Sequence, residues 1–466
     1  MGSVGIRSAG RCRVKYLFVH QNFPGQFLHV ARHLAASRSN DVVFITEPNG
    51  NHLSGVRKVP YLVPPPSAIT THIVARDLDA AGRRAEAVAV TAARLKALGF
   101  EPDIIIGHHG WGELLNLPDV WPNAPLLGYM EFYYQIKDVD VGFDPEFPTA
   151  VADYPRIRAK NATNLLALNL GQHGFTPTRW QLSTYPRWAQ ERITLLPEGV
   201  DLDTCKPDPK GRREELTVGG MKIGKADKLV TYVARDLEPY RGFHVMMRAL
   251  PHLLRARKDI RVVMVGGDGV SYGAPCPRGT WRELMCAELG KVVDPKRVVF
   301  PGRVNYQTYL QLLRRSDAHV YLTYPFVASW SLRESLAAGC AVVGSDTPPV
   351  REFIEDGRNG VLTPFFDSKG LARRIQEVLE DAALSRRLRE NARNYAARHL
   401  ALGDTLKGYE SLIGRLIAGA DGERRLEVER VNGGSREPRR SRRARPRFAP
   451  AAVAAGLILP NAGSPV

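Results

Sequence analysis

Residues Tyr321 to Gly344 read Y-L-T-Y-P-F-V-A-S-W-S-L-R-E-S-L-A-A-G-C-A-V-V-G. An apolar strand empties into a small-residue turn around Ser329 and Ser331. A helix then opens with a single acid, Glu334, in what reads as its first turn, and a second buried strand follows Gly339. Free backbone N–H groups at such a helix start, reached by a loop of small residues, make an anion site. A carboxylate in the first turn is favoured by the helix dipole and can accept hydrogen bonds from sugar hydroxyls. The stretch therefore points to a ligand that joins phosphate to ribose. Taken alone it also fits an ordinary strand-to-helix corner, so its surroundings decide.

Strand and helix patterns alternate on both sides of it. Upstream, Val14 to His20, Asp41 to Ile45, Asp103 to Ile106, Pro125 to Tyr129, Asn164 to Asn169 and Arg192 to Leu196 are short apolar runs that read as strands. Gln26 to Ala36 places Phe27, Val30, Ala31 and Leu34 on one helical face. The runs are continuous rather than alternating, as expected of a parallel sheet covered on both faces. From Asp203 to Asp227 the sequence turns polar and rich in Gly, Pro and Lys, the composition of a linker or exposed excursion. The pattern then restarts: Lys228 to Ala234, Ile260 to Gly266, Arg297 to Phe300, Ala318 to Thr323 and Cys340 to Gly344 read as strands, with helices at Phe243 to Arg255 and Tyr306 to Arg315. Helical periodicity from Leu371 to Tyr395 and from Thr405 to Ile417 closes the folded part.

The expected organisation is a flexible extension over 1–13, a first doubly wound α/β domain over 14–203, the excursion over 204–227, a second α/β domain over 228–418 and a disordered basic tail over 419–466. Ligands of open α/β sheets bind beyond the carboxyl ends of the strands, so the site is expected in the cleft between the two domains.

Charge and cysteine content narrow the class. The 466 residues carry a formal charge of +17. Arg7, Arg11, Arg13 and Lys15 supply +4, and ten arginines against five acids from Asp421 onward supply +5, which leaves +8 for the body. That excess suits an enzyme of phosphate-bearing ligands, or one working beside anionic headgroups, and makes nucleic acid an unlikely partner. Cys12, Cys205, Cys276, Cys286 and Cys340 are scattered without metal-ligand spacing, consistent with a reducing cytoplasm. No apolar run reaches the roughly 20 residues of a membrane span, and the start lacks the apolar centre of a secretory signal. A cytoplasmic protein is expected, with peripheral contact at an anionic membrane face allowed.

Five pieces of the second half occur in order: Y-V-A-R-D-L-E-P-Y-R-G-F at Tyr232 to Phe243, V-M-V-G-G-D-G at Val263 to Gly269, V-V-F-P-G-R-V at Val298 to Val304, the stretch quoted first, and Val343 to Leu362 ending in E-D-G-R-N-G-V-L. With P-T-R-W-Q at Pro177 and L-P-E-G-V-D at Leu196, they closely resemble the retaining glycosyltransferase family 4 over roughly residues 14 to 418. The resemblance implies a GT-B fold, two Rossmann-like domains about a cleft. It also implies transfer of a sugar from a UDP- or GDP-linked donor, in cell-surface polysaccharide or glycan synthesis. The acceptor would be a glycan, a lipid-linked glycan or a small molecule. It requires no metal and no resident cofactor, because the nucleotide sugar is a co-substrate.

By the same resemblance, Arg235 and Arg241 are the basic pair that grips the donor diphosphate, with Arg241 standing where the family usually has lysine. Fixed cations there stabilise the charge of the departing diphosphate. Glu334 is the acid expected at the donor ribose, with Trp330, Ser331 and Leu332 forming the turn before it and Gly266 the glycine turn of the second piece. The family's first acid should stand eight positions before Glu334, where this chain has Phe326, so donor-sugar contacts must come from elsewhere. In the first domain His109 resembles the active-site histidine, with His108 the alternative, and Gly25 the loop glycine that lets backbone approach the donor or acceptor. Glu198 sits where many relatives carry Asn.

Other readings are a dinucleotide enzyme built on G-G-D-G-V-S-Y-G at Gly266 to Gly273, an epimerase or phosphorylase of the same fold, and an adaptor acting through the arginine tail on nucleic acid or membrane. The first needs a helix opening at the glycines, and G-A-P-C-P-R-G follows instead. The acid-x-acid triplets Asp77 to Asp79, Asp138 to Asp140 and Asp201 to Asp203 suggest metal ligands only if they converge.

Overall fold

Alternate residues of the same strand bury against opposite cores, which is what the continuous apolar runs require. In β1 (Val14–Val19), Tyr16 and Phe18 pack on one side of the first sheet and Leu17 and Val19 on the other. β2 (Asn40–Thr46) and β4 (Ile104–His108) divide in the same way. With β3 (Val56–Pro60), β5 (Leu126–Tyr129), β6 (His173–Thr176) and β7 (Ile193–Leu195), they form a seven-stranded parallel sheet in the order β3-β2-β1-β4-β5-β6-β7. In register, Leu17 lies between Val43 and Ile105. The computed structural model describes residues 13–66 and 71–432.

After the antiparallel hairpin β8 (Leu216–Val218) and β9 (Met221–Ile223), the second sheet repeats the plan. β10 (Lys228–Asp236), β11 (Ile260–Gly267), β12 (Val298–Gly302), β13 (Ala318–Tyr321), β14 (Val342–Ser345) and β15 (Val361–Thr363) stand in the parallel order β12-β11-β10-β13-β14-β15. Chain order reverses between β1 and β4 in the first sheet and between β10 and β13 in the second. Each reversal opens a crevice at the carboxyl ends of the strands.

Four expectations need correction. The excursion over 204–227 is not merely exposed: Val218, Met221 and Ile223 of its hairpin are buried with Leu229, Val263 and Leu312 of the second domain. Asn164 to Asn169 belongs to a helix, Ala162–Asn169, whose buried Thr163, Asn164, Ala167 and Leu168 follow helical spacing, and the strand lies just downstream at His173–Thr176. The periodic run from Leu371 to Tyr395 is two helices, Ser368–Glu380 and Ala382–His399, parted at Asp381, which caps the second through the N–H groups of Ala383 and Leu384.

The fourth correction moves a boundary. Helix Leu402–Asn432 does not stay with the second domain: Tyr409, Leu412 and Ile413 complete the core of the first, with Phe18, Phe27, Phe175 and Leu196. The chain thus passes between the domains twice, and the passages lie side by side, Val200 N–H donating to Leu400 (2.8 Å) and Leu402 N–H to Val200 (3.1 Å). Described residues up to Asp421 form one unit, and the backbone from Gly422 to Asn432 continues the helix. The extension before Arg13 and the tail beyond Asn432, with the expectations placed on them, lie outside the described residues.

Candidate active site

At the first crevice, His20 follows β1 and His108 ends β4, and their rings stack with centroids 5.3 Å apart. Burial, then repulsion from His108, pulls the His20 pKa down to about 3, so this ring is neutral at ordinary pH. Gly25 covers it: its φ is +52°, and a Cβ there would lie 2.7 Å from His20 Cδ2. The His108 Nδ1 accepts from Gly110 N–H (3.0 Å), which puts the ring proton on Nε2, 3.4 Å from a Glu131 carboxylate oxygen. His108 lines a cavity of about 160 Å³ with Trp111, Phe132 and Tyr134 as aromatic walls and Arg84 and Lys160 as cations. Of the buried polar atoms in this lining, Thr163 Oγ1 has no hydrogen-bond partner, while His108 Nε2 and Arg84 Nε meet only loose ion-pair neighbours, Glu131 at 3.4 Å and Glu47 at 3.6 Å. Buried polar groups are usually more closely paired, which leaves capacity here for a polar ligand.

His109 does not reach this crevice. It is 0% exposed, and its ring fills the space over Gly128, where a Cβ would stand 1.8 Å from His109 Cδ2. Burial lowers its pKa to about 3. The chain leaves β4 at His108 and turns under itself, so of the two adjacent histidines only the strand-terminal one faces the cavity.

The second crevice is lined by charge. Arg241 is buried, its Nη1 donating to Thr323 Oγ1 (2.7 Å) and the Val327 carbonyl (2.9 Å), with its guanidinium 4.7 Å from the Tyr272 ring centroid. Gly242, at φ +68°, turns the chain from Arg241 into helix Phe243–Ala256. Arg235 is exposed near the end of β10, one residue before Asp236, which Ser271 and Arg303 hold by hydrogen bonds. Gly266 lies within β11, where a Cβ would stand 2.8 Å from Leu237 Cδ2; it serves close packing there. The N–H groups of Ser271, Tyr272 and Gly273 converge on the fully buried carboxylate of Glu238 at 3.0–3.3 Å. That glycine-rich loop is thus occupied by an acid of its own domain, which argues against the dinucleotide reading.

Helix Trp330–Ala337 begins earlier than the sequence suggested, with Ser329 at its N-cap, so Glu334 is past the first turn. Tyr321 OH accepts from Ser329 N–H (2.7 Å), and the Ser329 and Ser331 hydroxyls pair at 2.7 Å. Because Arg241 holds the Val327 carbonyl two residues before the cap, its cation and this helix start share one corner. Trp330 faces His29 of the first domain, ring centroids 5.9 Å apart. Leu332 is buried in the core and offers only backbone. Glu334 accepts from Tyr306 OH and Tyr309 OH, both at 2.8 Å, and its pKa is raised because burial outweighs these donors.

Phe326, in place of the expected first acid, packs against Phe132 of the first domain (4.7 Å), Tyr272 (5.2 Å) and Tyr240 (5.6 Å), and its carbonyl accepts from Trp180 Nε1 (2.9 Å). There it meets a strap formed by residues 131–150 of the first domain. Tyr240 donates to Asp140, and Tyr324 to Asp144 (2.6 Å). Phe143 stacks near Tyr324 and Phe365, and Phe147 near Trp281. Asp144, Glu146 and His244 bring ligand-type atoms within 4.8 Å, but Glu146 is paired with Arg248 (2.6 Å). The acid-x-acid triplets do not converge: Asp77 pairs with Arg156, Asp140 with Tyr240, and Asp201 caps its own turn.

Glu198, Tyr321 and Glu238 were missed or undervalued in the sequence. Glu198 accepts from Tyr129 OH (3.2 Å) and pairs with Arg333 across the domains (3.2 Å). Glu198 had a signal as the residue standing where many relatives carry Asn, and Glu238 as the acid between the two arginines of R-D-L-E-P-Y-R.

Comparison with known proteins agrees with this architecture. Residues 38–205 match the glycosyl transferase family 4 group and residues 220–395 the glycosyl transferases group 1. A phosphatidyl-myo-inositol mannosyltransferase of Mycolicibacterium smegmatis is 31% identical over 210 residues, 44% of this chain and 47% of that protein. A D-inositol 3-phosphate glycosyltransferase of Streptomyces coelicolor is 24% identical over 303 residues, 62% of this chain and 63% of that one. The chain thus spans about half to three fifths of the length of these curated relatives. Among solved structures, sucrose-phosphate synthase of Thermosynechococcus elongatus superposes with a TM-score of 0.64 at 16% identity, covering 87% of this chain and all of that one. Anabaena HepE in complex with UDP-glucose gives 0.61 at 17% identity over 86% of this chain and 99% of that one. The fold is GT-B, and the chain belongs to glycosyltransferase family 4, the group 1 glycosyl transferases.

Proposed function

We propose that this protein transfers a sugar from a UDP- or GDP-linked donor to a hydroxyl acceptor, with retention of anomeric configuration and without a metal or resident cofactor. The observation that carries the reading is the corner where the buried Arg241 guanidinium meets the start of helix Trp330–Ala337, at the switch point of the second sheet. A cation and unsatisfied backbone N–H groups together hold the donor diphosphate and stabilise the charge that develops as it leaves. Arg235, exposed at the strand end, reaches the outer phosphate oxygens. Ser331 lies at the mouth of the corner, with Trp330 and the Leu332 backbone beside it. Glu334 takes the ribose hydroxyls, with Tyr306 and Tyr309 fixing its carboxylate.

The His108 cavity receives the acceptor. Its aromatic walls suit the C–H face of a ring, and Arg84 and Lys160 suit an anionic substituent. A volume of about 160 Å³ holds one ring rather than a polymer segment. His108, with its Nε2 proton toward Glu131, orients the acceptor; the leaving phosphate takes the hydroxyl proton, so the protein contributes positioning and electrostatics. The curated relatives are named for mannosyl transfer to phosphatidylinositol and for glycosyl transfer to inositol phosphate, which supports a small anionic polyol. Solved HepE complexes contain UDP and UDP-glucose, which supports a UDP-linked donor. No described helix is long and apolar enough to cross a membrane.

A panel of nucleotide sugars incubated with the protein and with inositol phosphates tests the reading. Nucleoside diphosphate release that depends on acceptor, survives EDTA and gives an anomer of unchanged configuration by NMR is expected. Absence of binding by every UDP- and GDP-linked sugar would overturn it.

A further inference from the structure

A cavity of about 1370 Å³ lies away from both crevices, at the opposite edge of the second sheet. Its floor includes Lys228, which opens β10, Asp317, just before β13, and Gly339, which precedes β14. Residues 207–212 and 225–228, which flank the hairpin, and helix Ala382–His399 form its walls. Eight arginine and lysine side chains line it against four acids.

Hydrogen-bond partners decide what those charges do. Arg314 donates to the carbonyls of Thr204 and Lys206, Arg389 to those of Ser316, Asp317 and Gly339, and Arg393 to those of Leu202, Cys205 and Ala337. Carbonyls satisfy N–H groups but carry no net charge, and none of these three guanidinium groups makes a close ion pair; Asp208 acts on Arg314 and Asp317 on Arg389 only at longer range. Three of the four acids are engaged elsewhere, and the fourth, Glu390, stands exposed on the same helix as Arg386, Arg389 and Arg393. Asp227 pairs with Arg261 (3.1 Å), Asp317 with Arg315 (3.0 Å), and Asp208 accepts the N–H groups of Lys210 and Gly211.

Arg386, Arg389 and Arg393 share one face of their helix, and Lys225 and Arg386 stand exposed on this lining. Burial, then the charge of Arg212, pushes the Arg389 pKa down to about 10, the mark of a site where positive charge is poorly relieved.

We propose that this rear pocket binds a soluble ligand carrying two or more phosphate groups, at a site separate from the donor cleft. A concave pocket whose basic groups are fixed by carbonyls fits a discrete ligand better than a flat bilayer or a duplex, and rigidly held guanidinium groups are suited to phosphate oxygens.

Calorimetric titration of the full chain with tripolyphosphate at low salt tests this. The wild type is expected to bind at the rear pocket as well as at the cleft. The charge-reversed pair Lys225→Glu/Arg386→Glu should weaken the rear binding by about tenfold or more while UDP affinity is unchanged, since both side chains are exposed and the approach is electrostatic. Arg241→Ala should do the reverse, losing UDP and keeping the rear binding. Should the double variant melt early, Arg386→Glu alone gives the same comparison. Tripolyphosphate binding that disappears in Arg241→Ala, or that ignores the charge reversal, overturns the proposal. So does charge reversal that abolishes sedimentation with phosphatidylglycerol vesicles or retention of RNA while leaving tripolyphosphate binding intact. Because UDP is read separately, failure of the donor site and failure of the rear pocket give different results.

Discussion

Arg241→Lys keeps a positive charge and removes the planar fork, so it separates field from geometry. In the native protein Nη1 donates to Thr323 Oγ1 at 2.7 Å and to the Val327 carbonyl at 2.9 Å, and the guanidinium lies over Tyr272. A hydrogen bond from a charged donor contributes about 1.5–3 kcal/mol. A lysine ammonium, shorter in reach, can remake one of the two, so folding stability should fall by about 2 kcal/mol. Catalysis should fall further. If the Arg241 corner stabilises the departing diphosphate, misplacing that cation costs about 2.7–4 kcal/mol, or roughly 10² to 10³ in kcat/KM, the scale seen when one transition-state donor is lost. The assay is acceptor-dependent nucleoside diphosphate release, with urea denaturation of the same samples. A folded Arg241→Lys variant whose kcat/KM stays within about threefold of wild type would refute the assignment of this corner to the leaving group.

Other outcomes follow from buried pairs and rings. Glu198→Gln leaves Arg333, 1% exposed, without its carboxylate and should cost about 3–5 kcal/mol in urea denaturation, with Glu198→Gln/Arg333→Met recovering much of the loss; additive single losses would deny the pair. His108→Gln should lower turnover with little change in stability, whereas His109→Gln should destabilise without a specific kinetic defect, since His109 meets only core; kinetics and melting of both variants check this. His20, His109 and His319 have folded pKa values of about 3, below their ordinary 6.5, because burial penalises the imidazolium. The unfolded chain therefore binds more protons between those values, and stability, full above pH 6.5, drains as pH falls toward 3. Each ring adds a slope of about 1.4 kcal/mol per pH unit, so His319→Gln should flatten the stability profile by about that amount. Asp144→Ala strands Tyr324 OH and His244 and should loosen the strap over 131–150, seen as new protease cleavage there; unchanged digestion would show that its other anchors, Asp140 with Tyr240, Glu146 with Arg248, and Phe132, Phe143 and Phe147, hold it without Asp144.

The sheet architecture was legible because a strand buried on both faces must carry apolar residues on consecutive positions of its central run, as β1, β2, β4, β10 and β11 do between polar ends. Ala162–Asn169 was misread because N-L-L-A-L-N is equally apolar at strand and helix spacing, and burial on one side alone settles it. Of the residues singled out for the site, Arg241, Ser331 and Trp330 gather near one corner; Glu334 belongs to the same helix but faces Tyr306 and Tyr309. What remained hidden depends on three-dimensional company. Nothing local separates His108 from His109, whose roles are set by where β4 ends, or reveals that Glu238 occupies the glycine turn, or that Arg333 finds Glu198 in the other domain. The hairpin over 216–223 looked like a linker because only three of its side chains, Val218, Met221 and Ile223, are buried.

The last helix has a consequence for how the protein is made. Tyr409, Leu412 and Ile413 complete a hydrophobic layer begun by Tyr16 and Phe18, so the amino-terminal half waits on residues synthesised almost four hundred positions later. On the ribosome the second half can mature as soon as it emerges, while the first keeps an open apolar seam until translation is nearly over. A gene cut near residue 200 should then give an aggregating amino-terminal fragment, rescued when a peptide spanning Leu402 to Ile417 is supplied in trans.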